Sequence, residues 1–198
     1  MSKLINGLNC QKELNMITYL SIGFIVVIFL YFAATYNSLI RFRNLKEESW
    51  SGVDVQLKKR YDLIPNLVNT VKGYATHENQ TFIEVTERRK MGIAAKTVKE
   101  QEQAEIALSR SLLNLFAVAE NYPELKANEN FLDLQNQLSK VEEDLQMARR
   151  YYNGTVRNLN IRVESFPSNI VANTFKFQKG DFFELETEQE RQAPEIKF

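Results

Sequence analysis

The chain has 198 residues with 25 acidic and 25 basic side chains, so its formal net charge is zero. A balanced charge spread along the chain argues against a nucleic-acid-binding protein, whose affinity depends on a basic surface. With Cys10 as its one cysteine and His77 as its one histidine, the chain forms no intramolecular disulfide and no His/Cys metal cluster. A carboxylate-only magnesium or calcium site is the alternative, but the acids and glycines have no EF-hand-like spacing. We expect no cofactor, no metal and no nucleic-acid partner.

A membrane anchor is predicted near the N-terminus. Residues 14–40 contain no charged side chain, and Met16–Ala34 form the most apolar part. At ~1.5 Å per residue, about 19 residues reach ~28 Å, close to the thickness of a bilayer's hydrocarbon core. We predict a single transmembrane helix over residues 16–35, after a short segment at 1–15. A cleaved signal peptide is the alternative, but this apolar run is too long for one and begins late.

The charges that flank the predicted membrane helix bear on its orientation. Lys3 and Lys12 precede it, whereas Arg41, Arg43 and Lys46 follow it. Because cytoplasmic flanks carry the excess of basic residues, this small difference favours a cytoplasmic domain after the membrane helix.

Beyond the membrane segment, apolar residues recur every three or four positions, which predicts long helices. The first helix continues from the membrane, and Pro65 within it removes the hydrogen bond to the Tyr61 carbonyl, so we expect a kink there. A turn follows at residues 73–79, and a second helix then runs to about Ala119 with a polar middle at residues 88–103. The first stripe comprises Trp50, Val53, Leu57, Tyr61, Ile64, Val68, Val71 and Ala75.

The third helix has the most regular pattern. From Phe131 to Phe166 its apolar residues alternate spacings of three and four, which favours coiled-coil-like packing in a bundle. Pro167 ends this helix, and a short helix is expected to about Lys176. The predicted fold is all-α: a transmembrane helix that continues into an antiparallel up-and-down bundle of three long helices over residues 36–166, followed by a short helix and an irregular tail over residues 167–198.

A structural polar cluster follows from the expected register. In a three-helix up-down-up arrangement the first and third helices run parallel, so Asp62 would pair with Arg149 or Arg150 beside packed tyrosines. Such a pair specifies helix register more than it adds stability. The alternative is a polar ligand pocket beside Pro65. The predicted cluster comprises Tyr61, Asp62, Arg149, Arg150, Tyr152 and Asn153.

Five phenylalanines lie close together near the C-terminus. We expect most of them to cover the open end of the bundle; the alternative is an exposed surface for another copy or a partner. The surface named for that role consists of Phe175, Phe177, Phe182 and Phe183, and the fifth residue of the group is Phe166.

Several blocks of the sequence closely resemble the bacterial LemA family. YNSLIRFRNLKEESWSGVDVQLKKRYDLIPNLVNTVKGYATHE at Tyr36–Glu78 is similar to its hallmark segment, and YPELKANENFLDLQ at Tyr122–Gln135, ARRYYNGTVRNLN at Ala148–Asn160 and FPSNIVA at Phe166–Ala172 match further blocks. Asn173-Thr174 departs from the small or apolar residues usual in the family's last helix. The resemblance implies a bacterial membrane anchor, an antiparallel helical bundle on the cytoplasmic side, and no established enzymatic activity or catalytic residues.

The residue pattern also favours a protein that is not an enzyme. His77 lies in a predicted solvated turn, and the paired acids Glu47-Glu48 and Glu142-Glu143 fall on predicted exposed faces. The basic runs Lys58-Lys59-Arg60 and Arg88-Arg89-Lys90 are interpreted as solvated helix faces.

Three functional hypotheses follow. The first is a membrane-anchored scaffold in the bacterial inner membrane whose partners are the bilayer, further copies of itself and other membrane proteins. An adapter or regulator of a membrane protease or signalling system is one form of it. The second is membrane remodelling or anionic-lipid binding through the basic runs. The third, an enzyme, has the least support.

Overall fold

The computed structural model describes the backbone of residues 2–184 and the side chains of residues 15–184. The predicted all-α class is confirmed, because the described residues form six helices and no strand. The side chain of Cys10 and the part of the predicted tail after residue 184 lie outside the described residues. The helices are α1 (Ser2–Lys72), α2 (Asn79–Ala94), α3 (Val98–Glu120), α4 (Pro123–Lys126), α5 (Glu129–Glu164) and α6 (Ser168–Thr174).

The chain divides into two compact units. Unit 1 combines the chain up to Asn44 with Leu159–Lys179, and unit 2 combines Leu45–Asn158 with the chain from Gly180 onward. Unit 1 thus contains the apolar half of α1, the end of α5 and α6. Unit 2 contains the rest of α1 and α5 together with α2, α3 and α4.

Unit 1 contains the candidate membrane helix. The described part of α1 from Asn15 includes the one stretch of residues 2–184 that is long and apolar enough to cross a membrane. Beyond it, Leu39 packs in a small core with Leu159, Val163, Val171 and Ala172. The predicted anchor thus lies on a helix that could cross a membrane.

Between α1 and α5, unit 2 has one more long helix than the sequence pattern predicts, together with the one-turn helix α4. The single helix expected to end at Ala119 is two helices, since α2 ends at Ala94 and α3 begins at Val98. Thr97 is the N-cap of α3: its hydroxyl accepts the backbone N–H of Glu100 at 3.1 Å, and the Glu100 carboxylate accepts the Thr97 N–H. This capping box satisfies the first N–H groups of α3, so the chain reverses there at little cost.

The additional reversal makes α1 and α5 antiparallel within unit 2. Ser49 lies 2.8 Å from Thr155 between their hydroxyl oxygens, and Arg60 lies 2.7 Å from Glu142 between nitrogen and oxygen. Residue numbers therefore fall along α5 as they rise along α1. The parallel arrangement that we expected from three helices is wrong, because it counted one long helix too few before α5.

The predicted apolar stripes form the core of unit 2. On α1, Val53, Leu57, Ile64 and Val71 are buried, and the apolar positions of α2 and α3 pack against them. On α5 the stripe is buried or half-buried as far as Val163 in unit 1, whereas Phe166 is 80% exposed. Burial of these stripes supplies the main favourable free energy of folding.

Pro65 lies inside α1, which continues to Lys72. Proline cannot donate to the carbonyl four residues earlier, that of Tyr61. The structure supplies another donor, because Arg89 Nε of α2 lies 2.7 Å from the Tyr61 carbonyl oxygen. Arg89 thus takes the place of the missing helical N–H, and the kink at Pro65 stays a prediction.

This substitution of donors predicts coupling between Pro65 and Arg89. Arg89→Ala leaves a carbonyl without a partner and should lower the free energy of unfolding by about 1–3 kcal/mol. In the Pro65→Ala background the Ala N–H restores the helical bond, so the same change at Arg89 should cost less. Circular dichroism during urea unfolding of the full-length protein in detergent measures all four variants of this cycle.

Arg88→Ala is the matched control, because the contacts of Arg88 are exposed: it pairs with Glu84 at 3.9 Å and lies 3.6 Å from Met91 Sδ. Equal costs of Arg89→Ala in the two backgrounds would show that the Tyr61 carbonyl does not depend on Arg89.

Candidate functional site

Arg60 is the centre of a charged cluster in the interior of unit 2. Its side chain is 1% exposed, although it belongs to a basic run that we expected to be solvated. Nη1 donates to the Glu105 carboxylate, and Nη2 lies 2.8 Å from Ser109 Oγ and 2.7 Å from Glu142 Oε1. One guanidinium of α1 therefore binds side chains of both α3 and α5.

Glu105 is fully buried and accepts from two sides. Besides Arg60, it accepts the Tyr61 hydroxyl, and Gln101 Nε2 lies 2.6 Å from the Tyr61 oxygen and 3.4 Å from Glu105 Oε1. Burial and the adjacent Glu105 raise the pKa of Tyr61, so its hydroxyl stays a donor at neutral pH.

Gly92 of α2 brings the backbone close to this tyrosine. A Cβ at this position would lie 2.8 Å from Tyr61 Cζ, which real Cβ atoms do not tolerate. The absence of a side chain at Gly92 thus leaves the room that the buried Tyr61 ring occupies.

The cluster holds two cations and two anions. Arg149 of α5 is buried to 9% exposure, and its Cζ lies 5.3 Å from the centroid of the Phe183 ring. Burial lowers the pKa of Arg149 to about 10, opposed by the negative charges of Glu142 and Glu105. Burial also raises the pKa of Glu142, against the attraction of Arg60 and Arg149. Arg149 nevertheless remains protonated at neutral pH, so it places a second positive charge beside Glu142.

The predicted polar cluster is only partly brought together. Asp62 and Arg150 are exposed, and Asp62 lines a surface groove with Lys59 and Lys140. The expected pairing of Asp62 with Arg149 or Arg150 is therefore wrong. Because α1 and α5 are antiparallel, the level of Asp62 on α5 is near Lys140 and not near Arg149.

Tyr152 and Asn153, the other predicted members on α5, bind the segment Gly180–Glu184. The Tyr152 hydroxyl donates to the Asp181 carbonyl at 3.0 Å. Asn153 Oδ1 accepts the Phe183 N–H at 2.9 Å, and Asn153 Nδ2 donates to the Phe183 carbonyl at 3.0 Å. Burial and the charge of Asp181 raise the pKa of Tyr152 to about 12.

The phenylalanines expected at the C-terminal end differ in exposure. In unit 2, Phe183 is 2% exposed, whereas Phe182 is 41% exposed. In unit 1, the Tyr36 ring lies 4.7 Å from Phe175 and 5.8 Å from Phe177 between centroids, with Phe175 still exposed. Neither expectation holds for the whole group, because Phe183 is buried whereas Phe175 and Phe182 are exposed.

Two further expectations about charged residues are corrected. Glu142 is not a solvated acid, since it is 32% exposed and binds Arg60. Arg89 is half-buried and binds the Tyr61 carbonyl. His77, in contrast, is exposed in the turn between α1 and α2, as predicted.

A signal for the missed residues was present in the helical spacing. Arg60 lies three residues after Leu57 and four before Ile64, and Glu105 lies three before Leu108. A charged residue at such a position is placed among core side chains, where it needs a partner. Pairing Arg60 with Glu105 also required the break before Thr97, which a single long second helix concealed.

The charged cluster is suited to specifying how the helices of unit 2 pack. Each charged group of the cluster faces one of opposite sign, and the two carboxylates interact with arginines from neighbouring helices. Among the residues whose side chains are described, no three His, Cys, Asp or Glu are grouped to hold a metal ion. Buried, hydrogen-bonded ion pairs of this kind select one helix register over others.

These features define an all-α protein with a charged core cluster and one segment able to span a membrane. The model of the LemA family matches residues 49–198, and the chain belongs to the LemA family. It is 27% identical over 139 residues to "Protein LemA" of Metamycoplasma hominis, a match that covers 69% of this chain and 63% of that protein.

The chain is also similar to magnetosome proteins. It is 21% identical over 175 residues to "Magnetosome protein MamQ 2" of Paramagnetospirillum magneticum and 19% identical over 174 residues to "Magnetosome protein MamQ" of Magnetospirillum gryphiswaldense. Each match covers 75% of this chain and 64% of the relative. The chain thus spans less than two thirds of the length of these relatives.

The buried pair predicts an asymmetric effect of single and double substitutions. Arg60→Met leaves Glu105 charged and buried, and should lower the free energy of unfolding by about 3–5 kcal/mol. Arg60→Met combined with Glu105→Leu removes both charges and should cost less than Arg60→Met alone. Urea unfolding followed by circular dichroism measures the difference.

Lys59→Met is the control, because the neighbouring Lys59 is exposed, and its effect should stay within about 0.5 kcal/mol. A double variant less stable than the single variant would contradict the pairing of Arg60 with Glu105.

The raised pKa of Glu142 predicts a pH dependence. The unfolded chain releases this proton near the ordinary carboxyl pKa of about 4.3, before the folded chain does. Between these two pKa values the folded state binds more protons, so the contribution of Glu142 to stability decreases as pH rises. Wild-type protein should therefore lose stability relative to Glu142→Gln as pH rises from about 4, measured as Tm against pH.

Glu143→Gln provides the comparison, since Glu143 is exposed on the same helix. A wild-type protein that gains stability relative to Glu142→Gln over this pH range would show that ion pairing outweighs burial at Glu142.

Proposed function

We propose that the protein is a membrane-anchored, self-assembling helical scaffold without enzymatic activity. In this proposal the segment at Met16–Ala34 spans the bacterial inner membrane, and unit 2 lies on the cytoplasmic side. Copies of the chain, and other membrane proteins, bind to its helical surfaces.

Exposure of the apolar part of α1 is the observation that carries the proposal. Every residue from Asn15 to Tyr31 is exposed, including Leu20 at 67%, Phe24 at 66% and Phe29 at 70%. Apolar area left in water costs about 25 cal/mol per Å², whereas lipid chains solvate it favourably. A helix without charged side chains over this length supports the bilayer as the first partner.

The charged cluster supports a role based on surfaces. Arg60, Glu105 and Glu142 bind one another within unit 2, and a group held in this way is not free to act on a substrate. Neither the family description nor the names of the relatives state a reaction. Specified packing of α1, α3 and α5 instead favours a domain whose outer faces are presented in one arrangement.

The lipid-binding alternative has lost part of its support. It depended on the runs Lys58-Lys59-Arg60 and Arg88-Arg89-Lys90, but Arg60 is buried and Arg89 binds a backbone carbonyl. Arg88 faces Glu84. Fewer basic side chains are therefore available for anionic headgroups than the sequence suggests.

Self-assembly is tested with the full-length protein in its membrane. Chemical cross-linking in native membranes, followed by light scattering of the detergent-extracted protein, should give species of two or more chains. The control Ile25→Lys with Phe29→Lys places two charges within the apolar segment, each costing about 2.5–3.5 kcal/mol on insertion. This variant should be released from membranes and lose cross-linking at equal total concentration.

Monomers alone, both in membranes and after extraction, would rule out the self-assembling scaffold. Wild-type protein that is extracted from membranes by alkaline carbonate would rule out the anchor.

A further inference from the structure

Unit 2 holds the segment Gly180–Glu184, which has no regular secondary structure, as a peptide is held in a binding groove. The hydrogen bonds described above are directed at its backbone: Tyr152 binds the carbonyl of Asp181, and Asn153 binds both the N–H and the carbonyl of Phe183. The Glu102 carboxylate further accepts the backbone N–H of Glu184. Side chains of α3 and α5 thus satisfy the backbone of the segment as a neighbouring strand would.

Specificity is concentrated in one side chain. The Phe183 ring is 2% exposed and meets the Trp50 ring edge-on at 5.8 Å between centroids. Trp50 in turn packs on Tyr152 at 5.1 Å, and Arg149 lies over the Phe183 ring at 5.3 Å. An aromatic anchor in a pocket with a cation over its face, surrounded by backbone hydrogen bonds, is typical of a peptide-binding site.

The other side chains of the segment after Gly180 are more exposed than Phe183. Asp181, Phe182 and Glu184 are exposed. The groove therefore selects a short segment with a phenylalanine at one position and acids allowed beside it.

We infer that this groove is a peptide-binding site that segment Gly180–Glu184 of a second copy can fill in place of the chain's own segment. An exchanged segment makes the same hydrogen bonds and aromatic contacts, so the exchange costs almost no contact energy. The balance between a copy's own segment and that of its neighbour then depends on local concentration. Membrane anchoring, as proposed above, confines the copies and raises that concentration.

The inference rests on the proposed self-assembly and names where two copies meet. It differs from a contact between helix faces, because the segment supplied by one copy must enter the groove of the other. A copy with an intact groove and a defective segment should therefore associate with a copy that has a defective groove and an intact segment.

The experiment uses two full-length variants with different tags in detergent. Phe183→Ala removes the buried phenylalanine ring and leaves the groove intact. Asn153→Leu removes the side chain that binds the Phe183 backbone and leaves the segment intact. Each variant alone should associate several-fold less than the mixture, measured by co-capture of the two tags. Trp50 is the one tryptophan, so its fluorescence in Phe183→Ala should change when Asn153→Leu is added.

Matched controls lie beside both positions. Phe182→Ala changes the exposed neighbour on the segment, and Asn158→Leu changes an exposed asparagine on α5. A mixture of these two variants should associate no more than the wild type.

If circular dichroism shows that Phe183→Ala does not fold, Phe183→Leu takes its place, and an acetylated GDFFE amide peptide is added as the occupant. The expected result is a change in Trp50 fluorescence with this peptide and none with its GDFAE counterpart. Folded variants whose mixture associates no more than each alone would overturn the exchange. If the exchange fails but wild-type protein still cross-links, the proposed self-assembling scaffold stands without the exchange. If wild-type protein does not cross-link either, both the exchange and the scaffold are rejected.

Discussion

Burial of the Arg60 guanidinium is the interaction on which the rest of unit 2 depends. Arginine stays charged at any physiological pH, so an interior position is tolerated only with acceptors from neighbouring helices. Glu105 and Ser109 on α3 and Glu142 on α5 supply them. A shift of either helix by one turn would move these acceptors by about 5.4 Å and leave the charge without partners. Burial of the apolar stripes drives the helices together, and the partners of Arg60 select the register in which they pack.

The same few residues of α1 accommodate a second constraint. Pro65 removes the donor for the Tyr61 carbonyl, and Arg89 of α2 replaces it from outside the helix. The Tyr61 side chain meanwhile reaches Glu105, and its ring packs where Gly92 has no side chain. Three helices therefore meet α1 within two residues, Arg60 and Tyr61, although each helix contributes different chemistry. This concentration explains why a core built mainly of aliphatic residues has a single arrangement.

The C-terminal segment relates the core of unit 2 to its proposed assembly. Arg149 belongs to the charged cluster by its electrostatic interaction with Glu142 and contacts Phe183 through its guanidinium. Occupancy of the Phe183 pocket thus covers one side of the cluster and keeps Arg149 away from water. A segment from another copy would do the same, so unit 2 stays closed whether the segment is its own or exchanged.

The sequence by itself determined the all-α class, the buried faces of α1 and α5 and the candidate membrane segment, because these follow from local periodicity and from the length of an apolar run. Val53, Leu57 and Leu145 are core residues at predicted positions. The tertiary structure alone decided the direction of α5 and the partners of Arg60 and Asp62. These depend on where the chain reverses, and one short break at residues 95–97 inverts every later pairing. Periodicity identifies which side of a helix is buried, whereas the partner across the core is set by long-range register that no local pattern encodes.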